Sequence, residues 1–315
     1  MSGSAQFPAE TGADGSFVRQ TYSIRDRITA DGSSGFPAEA GRYHLYVSLA
    51  CPWAHRAIIV RNLLGLQDVI SMGVVDPVRD ERGWAFREGA GHGADGVCNF
   101  QFLSEAYLRT DPSYTGRYTV PCIWDRETRR LVTNNYPDIT IDLETQFTAF
   151  HQPGAPDLYP AHLRAEIDAV NEVVYREVNN GVYRAGFATT QEAYEAAVGT
   201  LFARLDELEE RLSARRYLVG GELTEADIRL FTTLARFDAV YVGHFKCNLR
   251  RLVDYPNLWG YARDLYQRPG IGETVNFDHI KRHYYMTHDA INPTRIVPAG
   301  PLMDWSAPHD RGRLG

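Results

Sequence analysis

A predicted strand that passes into a helix at a cysteine–proline pair constrains the fold of this chain more than any other feature. Tyr43–Val47 is rich in aromatic and branched residues, which is typical of a β-strand. From Pro52 to Leu64, apolar residues recur at roughly helical spacing. Proline suits the first helical position because its missing N–H would have no partner there. Cys51 therefore lies where a strand ends and a helix begins.

A thiol at this junction can face the first turn of the helix, where unpaired backbone N–H groups and the helix dipole favour a thiolate. We therefore expect Cys51 to have a lowered pKa and to act as a nucleophile near neutral pH. Ala54 occupies the second position of a Cys-x-x-Cys motif, so no resolving thiol lies one turn away. The sequence predicts a single-thiol catalyst that needs a second thiol from solution. The alternative is a buried, inert cysteine.

Composition excludes several classes of protein. The chain has 315 residues, enough for two domains, and its net charge of -7 argues against a nucleic-acid partner. No apolar run approaches the roughly 20 residues of a membrane-spanning helix. The four cysteines (Cys51, Cys98, Cys122 and Cys247) are widely scattered and lack the spacing of metal ligands. We therefore expect a cytoplasmic protein with no metal site and no membrane partner.

Three regions follow one another along the chain. Residues 1–40 are rich in Gly, Ser, Ala and Pro and predict an irregular arm. Residues 41–150 alternate strands and helices in a βαβ-then-ββα order, which is compatible with a thioredoxin-like domain. Residues 155–315 predict an all-helical domain that ends in an irregular tail. The predicted fold class is an α/β thioredoxin-like domain followed by an all-α domain.

Hydrophobic periodicity and turn residues bound the individual elements. The predicted strands are 43–47, 69–75, 119–124 and 130–133, and the predicted helices are 52–64, 137–147, 161–179, 191–214 and 224–238. Thr224 and Asp227 form a capping-box pattern at the start of the last of these helices. Pro121 stands where the thioredoxin-like plan places a cis proline beside the active site.

Several longer motifs, spread in order over nearly the whole chain, carry a resemblance to a known family. They are Phe36–Val47, Cys51–Arg56, Asn179–Ala188, His279–Tyr285, Asn292–Thr294 and Gly300–Pro301. Together they resemble the xi class of glutathione transferases, the glutathionyl-hydroquinone reductases. This resemblance implies that Cys51 attacks the sulfur of a hydroquinone thioether conjugate, expels the hydroquinone and forms a mixed disulfide. A second thiol molecule would then resolve the disulfide.

The resemblance also implies which residues hold the thiol cosubstrate. Trp84 matches a tryptophan that lies over bound glutathione, although a core or hinge tryptophan is the alternative. Val120 would offer its backbone N–H and C=O to the thiol peptide, next to Pro121. No bound cofactor is implied, because the thiol acts as a cosubstrate.

The hydroquinone site is implied in the same way. Tyr183, Tyr284 and Tyr285 match an aromatic pocket in which phenol hydroxyls hydrogen-bond the ring oxygens of a quinone-derived substrate. For any one of these tyrosines the alternative role is packing. The resemblance further implies a homodimer.

Asn135 and Tyr136 depart from the family pattern, which usually has a Glu-Ser pair that binds the γ-glutamyl end of glutathione. Asn135 carries no charge to meet the ammonium group, and Tyr136 is bulkier than serine. All basic residues except Lys246 and Lys281 are arginine, a bias that suggests a GC-rich, actinobacterial genome. Because mycothiol is the usual small thiol there, we expect either glutathione or mycothiol as the cosubstrate.

Two other functions are compatible with these residues. A glutaredoxin-like or dehydroascorbate-type reductase would use the same Cys51 chemistry, and activity on simple mixed disulfides would identify it. A non-catalytic binding protein could also have this fold. An ordinary pKa for the Cys51 thiol, with no turnover of any conjugate, would favour that function.

Overall fold

The structure, a computed structural model, describes residues 10–314 and forms two compact units. The first unit contains Gln20–Pro156 and Asn276–Ile296. The second contains Asp157–Val275 together with residues 10–19 and 297–314.

This grouping differs from the predicted ranges in two places. Asn276–Ile296, which we expected in the helical domain, lies in the first unit. The predicted arm is divided as well, since residues 10–19 pack with the second unit and the part from Gln20 onward packs with the first. Residues 1–9 of that arm lie outside the described residues.

Strands and helices alternate first and give way to helices later. The strands are β1 (Tyr43–Val47), β2 (Ser71–Val74), β3 (Cys122–Asp125) and β4 (Arg130–Thr133). The helices are α1 (Pro52–Leu63), α2 (Leu103–Thr110), α3 (Tyr136–Thr145), α4 (Arg164–Val174), α5 (Gly181–Gly186), α6 (Gln191–Ala214), α7 (Glu225–Arg236), α8 (Pro256–Tyr266) and α9 (Phe277–Thr287). Wider π-helical turns continue α4 through Tyr175–Asn179 and α7 through Phe237–Tyr241.

The first unit is built on a four-stranded mixed sheet with the strand order β2-β1-β3-β4. β1 pairs in parallel with β2 and antiparallel with β3, which in turn pairs antiparallel with β4. All five residues of β1 are buried, because this strand has a neighbour on each side and is covered on both faces. This is the βαβ-then-ββα order that the sequence predicts.

Helix α1 packs against α3 and is almost entirely buried. Pro52 occupies its first turn, as predicted from the sequence. Near its other end the buried Arg61 donates through Nε to the carbonyl of Ile70 at 2.6 Å and through Nη2 to that of Gln67 at 2.9 Å. These bonds fix the turn that leads from α1 into β2, so both ends of the helix are held in place.

The second unit is helical, and its longest helix has the predicted bounds, Gln191–Ala214. The predicted capping box at α7 is also confirmed. The carboxylate of the buried Asp227 accepts hydrogen bonds from the Thr224 N–H at 2.9 Å and the Leu218 N–H at 2.8 Å. The Tyr261 hydroxyl on α8 donates to the same carboxylate at 2.8 Å. One cap thus joins α7, α8 and the preceding loop.

Sequence analysis did not predict α2, α5, α8 or α9. The first two span eight and six residues, which is shorter than the window in which helical periodicity becomes visible. In α8, buried residues recur at Leu258, Tyr261 and Leu265. Helical periodicity is therefore present in this segment, and sequence analysis missed it. β3 begins at Cys122, later than predicted, because Pro121 has no N–H to donate to the ladder.

No helix within residues 10–314 is both long enough and apolar enough to cross a lipid bilayer.

His44 makes the stability of the first unit depend on pH. Its imidazole is buried in β1, with Nδ1 2.7 Å from the Ser71 hydroxyl, and burial lowers its pKa from 6.5 to about 4. The unfolded chain restores the ordinary pKa. Between these two pKa values the unfolded state therefore binds more protons than the folded state, and stability falls as the pH falls.

We predict that His44 alone lowers the free energy of unfolding by about 2 kcal/mol when the pH falls from about 7 to about 5. Urea denaturation of the wild type and of His44→Gln at both pH values measures this effect. Glutamine does not titrate, so the variant should lose about 2 kcal/mol less than the wild type over the same interval. Equal losses in the two proteins would contradict the prediction.

Candidate active site

Cys51 lies between β1 and α1, at the N-cap position of the helix. Its N–H donates to the carbonyl of Ser48 at 3.1 Å, and its carbonyl accepts the first helical bond, from the His55 N–H, at 3.0 Å. The residue is 9% exposed. The structure thus places the thiol at the strand-to-helix junction that the sequence predicts, next to the positive end of the helix dipole.

The backbone of Val120 lies directly against this thiol. Cys51 Sγ donates to the Val120 carbonyl at a distance of 3.4 Å. The peptide bond between Val120 and Pro121 is cis, and both residues are buried. The structure therefore brings together Cys51, Val120 and Pro121, three of the residues that sequence analysis singled out.

Asn135 and Tyr136 begin α3 in the same unit. Asn135 is the N-cap residue, and its side-chain amide donates to the carboxylate of Asp138 at 2.5 Å. That carboxylate also lies 3.6 Å from the Arg27 guanidinium. The side-chain amide of Asn135 therefore hydrogen-bonds one member of the ion pair between Asp138 and Arg27.

The Tyr136 ring is buried in an aromatic cluster. It lies 4.7 Å from the Trp53 ring and makes an edge contact of 5.5 Å with Tyr22. The guanidinium of the fully buried Arg56 sits 4.7 Å from the centre of the Trp53 ring and 5.1 Å from that of Tyr136. A cation against the faces of two neighbouring aromatic rings is a stabilising arrangement in a desolvated site. Sequence analysis did not identify Arg56.

Trp84 lies in the loop between β2 and α2 and is 5% exposed. Its ring stacks on His283 of α9, with 4.9 Å between ring centres and 24° between planes. The Arg79 guanidinium lies 5.6 Å from the Trp84 ring. His283 Nδ1 is 2.8 Å from the Pro77 carbonyl, which orients the imidazole. Sequence analysis named His283 only within the motif His279–Tyr285, and only the tertiary structure shows its contact with Trp84.

The two tyrosines of α9 differ in exposure. Tyr284 is 1% exposed, and its ring lies 5.2 Å from His283 and 5.5 Å from His288. Tyr285 is half-buried, and its carbonyl accepts a hydrogen bond from the Asn292 side chain at 2.7 Å. His283 therefore touches one residue predicted to bind the thiol, Trp84, and one predicted to bind the hydroquinone, Tyr284.

Tyr183 lies on α5 in the second unit, inside an aromatic cluster of its own. Its ring lies 5.4 Å from Phe245 and 6.1 Å from Phe187. The Arg19 guanidinium lies 4.8 Å from the Tyr183 ring, and Arg19 Nε donates to Asn180 at 2.9 Å. Arg19, in the part of the N-terminal arm that belongs to the second unit, thus packs on Tyr183.

The other three cysteines have environments that disfavour the thiolate. Burial raises the pKa of Cys122 and of Cys247, and both side chains are inaccessible to solvent. Burial also raises the pKa of Cys98, which is partly exposed. All four cysteines are described, and none forms a disulfide. Among residues 10–314, no group of three or more His, Cys, Asp or Glu side chains could hold a metal ion.

Family models match both parts of the chain. Residues 50–146 match the model described as glutathione S-transferase, N-terminal domain. Residues 191–264 match the model described as glutathione S-transferase, C-terminal domain.

Individual proteins are similar over nearly the full length. Glutathionyl-hydroquinone reductase YqjG of Escherichia coli (strain K12) is 51% identical, over 94% of this chain and 92% of that protein. The glutathione-bound structure of YqjG has a TM-score of 0.90 and covers 92% of this chain and 96% of that chain.

Two further solved structures are similar to this chain over nearly its full length. A glutathione transferase from Gordonia bronchialis DSM 43247 is 55% identical, with a TM-score of 0.91 and coverage of 94% of this chain and 92% of that chain. The glutathione-S-transferase Xi from Phanerochaete chrysosporium is 51% identical, with a TM-score of 0.90 and coverage of 93% and 95%. The predicted fold class, a thioredoxin-like domain followed by a helical transferase domain, is thereby confirmed.

We predict that iodoacetamide at neutral pH modifies Cys51 about tenfold faster than Cys98, because a helix N-terminus favours the thiolate whereas burial raises the pKa of Cys98. Peptide mapping by mass spectrometry at a series of times measures the two rates. Cys51→Ser serves as the control and should retain only the slow reaction. Faster labelling of Cys98 than of Cys51 would refute the predicted nucleophile.

Proposed function

The chain belongs to the xi class of the glutathione transferases, and on this premise we propose that it is a thiol-dependent reductase of hydroquinone thioether conjugates. The observation that carries the proposal is the position of Cys51 at the N-terminus of α1, with its thiol against the backbone carbonyl of Val120. This arrangement provides a nucleophile and, beside it, backbone groups that can hold a peptide-like thiol.

In the first step, the Cys51 thiolate attacks the sulfur that joins the thiol cosubstrate to the hydroquinone ring. A sulfur–sulfur bond forms, the sulfur–carbon bond breaks, and its electron pair leaves with the ring carbon, which takes up a proton. The products are the free hydroquinone and a mixed disulfide on Cys51. The ring carbon is reduced by two electrons, and the two sulfur atoms are oxidised together.

In the second step, the thiolate of another cosubstrate molecule attacks the cosubstrate sulfur of this mixed disulfide. Cys51 departs as a thiolate, and the product is the disulfide of two cosubstrate molecules. Ala54 in place of a second cysteine supports this use of an external thiol, since no resolving thiol lies one helical turn away. Over the full cycle, one conjugate is reduced and one free cosubstrate thiol is consumed, and the disulfide joins its sulfur to the sulfur that the conjugate carried.

The remaining site residues keep the roles expected from the resemblance. We infer that Trp84 and the Val120–Pro121 backbone bind the thiol and that Tyr183, Tyr284 and Tyr285 bind the hydroquinone. The half-buried Tyr285 supports this role most directly, because its side chain retains accessible surface. Tyr284 is nearly inaccessible, so its contribution is limited to the edge or hydroxyl of its ring.

Glutathione is supported as the cosubstrate by the glutathione-bound relative. We infer mycothiol as the alternative from Asn135 and Tyr136 at the start of α3. Asn135 is uncharged, and its amide donates to Asp138. Tyr136 is buried among aromatic rings and so differs from a short hydroxyl side chain. Neither residue offers a carboxylate to the ammonium group of glutathione. Mycothiol has no γ-glutamyl group, so its binding does not require a carboxylate at this position.

We also infer a cytoplasmic location and a homodimer. Catalysis through Cys51 requires a reduced thiol, which a reducing compartment maintains. The homodimer rests on the family resemblance alone.

We predict that the wild type cleaves a hydroquinone conjugate of glutathione or of mycothiol and that Cys51→Ala lowers kcat by at least about a thousandfold, since the variant has no nucleophile. Release of free hydroquinone, followed by chromatography, measures both rates. Cys98→Ala is the matched control and should retain wild-type activity.

Other outcomes would identify the alternative functions. Rapid reduction of simple mixed disulfides without cleavage of either conjugate would indicate a glutaredoxin-like or dehydroascorbate-type reductase. No turnover of any of these substrates would favour a non-catalytic binding protein with the transferase fold.

We predict that Asn135→Glu raises kcat/KM for the glutathione conjugate about tenfold, because a carboxylate at this position can pair with the substrate ammonium group. The same variant should not raise kcat/KM for the mycothiol conjugate. Asn135→Gln is the control, because glutamine has the length of glutamate without its charge. An unchanged ratio of the two kcat/KM values would show that residue 135 does not select the thiol.

A further inference from the structure

Thr119, the residue before Val120, is held by side chains on both its backbone and its hydroxyl group. The Tyr107 hydroxyl donates to the Thr119 carbonyl at 2.7 Å and accepts from the Thr119 N–H at 3.1 Å. The Thr119 hydroxyl lies 3.2 Å from the Tyr107 hydroxyl, and the Asn134 amide donates to it at 3.2 Å. Every polar group of Thr119 therefore meets Tyr107 or Asn134.

This arrangement matters because Thr119 lies outside the strand. β3 begins at Cys122, so the three residues from Thr119 to Pro121 precede the ladder that orders the rest of the strand. The carbonyl of Val120 nevertheless contacts the Cys51 thiol. Its position requires some other constraint, and the bonds to Thr119 supply one at the adjacent residue.

Tyr107 is well suited to hold a backbone segment. It is fully buried on α2, and its ring packs 4.9 Å from Tyr114 and 5.5 Å from Tyr118. Burial raises the pKa of Tyr107 well above 10, so the hydroxyl keeps its proton and can donate at any ordinary pH. α2 is itself anchored, because Glu105 accepts from the Gln101 and Phe102 N–H groups at 2.8 and 2.9 Å.

We propose that Tyr107 and Asn134 are positioning residues that hold Thr119 and thereby set the Val120 backbone against Cys51 for binding of the thiol cosubstrate. This inference rests on the proposed function, since it assigns the thiol to the Val120 backbone. It adds a residue of α2, a helix that the sequence did not predict, to the construction of the site.

The test compares Tyr107→Phe with Tyr43→Phe. Tyr43 is the matched control because it is also fully buried in the first unit and its hydroxyl donates to a backbone carbonyl, that of Pro37, at 2.7 Å. Isothermal titration with glutathione and, separately, mycothiol measures affinity without turnover. Alkylation by iodoacetamide between about pH 5 and pH 9 measures the reactivity of Cys51 in the same proteins without any bound thiol.

We expect Tyr107→Phe to weaken thiol binding about tenfold, to raise the KM for the thiol by a similar factor and to leave kcat within about twofold. The pH dependence of Cys51 alkylation in this variant should differ from that of the wild type, because the Val120 carbonyl moves away from the thiol. Tyr43→Phe should match the wild type in affinity, KM and alkylation. Equal affinities and alkylation profiles in all three proteins would overturn the proposal.

Thr119→Val gives a second test if Tyr107→Phe does not fold, since valine keeps the shape and removes only the hydroxyl group. We expect it to weaken thiol binding about threefold. Wild-type affinity with wild-type alkylation in this variant would overturn the role of Asn134. If the wild type cleaves no conjugate, the proposed function fails, whereas an affinity or alkylation difference confined to Tyr107→Phe and Thr119→Val would still support the positioning role.

Discussion

The central strand β1 fixes where Cys51 lies, and its pairing with β3 decides what lies beside it. Because the two strands are antiparallel, the end of β1 meets the start of β3, as the pairing of Tyr46 with Cys122 records. The residues just past β1 lead to Cys51, and those just before β3 are Val120 and Pro121. This register brings the segment that contains Val120 beside Cys51, and a shift of the pairing would remove the contact between the Cys51 thiol and the Val120 carbonyl.

The first unit also places buried charges against aromatic rings. Arg56 lies over Trp53 and Tyr136, and Arg79 lies near Trp84. A buried guanidinium is costly unless its environment compensates for lost hydration, and an aromatic face provides part of that compensation. Of the two cations, Arg56 packs against the buried Tyr136 ring at the start of α3.

The proposed reduction needs little from the protein beyond a reactive thiol and a well-placed cosubstrate. The helix N-terminus favours the thiolate of Cys51, and the second sulfur comes from solution. Under this proposal, selectivity depends on the residues proposed to hold the thiol cosubstrate, namely the Val120 backbone, Trp84 and the start of α3. Of these, Asn135 and Tyr136 differ from the Glu-Ser pair that the resemblance implies, so we expect a difference in thiol preference to originate there.

Local sequence alone determined the strand Tyr43–Val47, the helix start at Pro52, the helix Gln191–Ala214 and the capping box at Thr224, because each depends on neighbours within a few residues. It also singled out Cys51. Only the tertiary structure placed Asn276–Ile296 in the first unit, stacked His283 on Trp84 and brought Tyr107 to Thr119. The stack joins residues about 200 positions apart, and the Tyr107 bonds depend on how a short helix packs against a segment outside the sheet. Hydrophobic periodicity reports which face of an element is buried, whereas the partner that covers it is set by the packing of the whole chain.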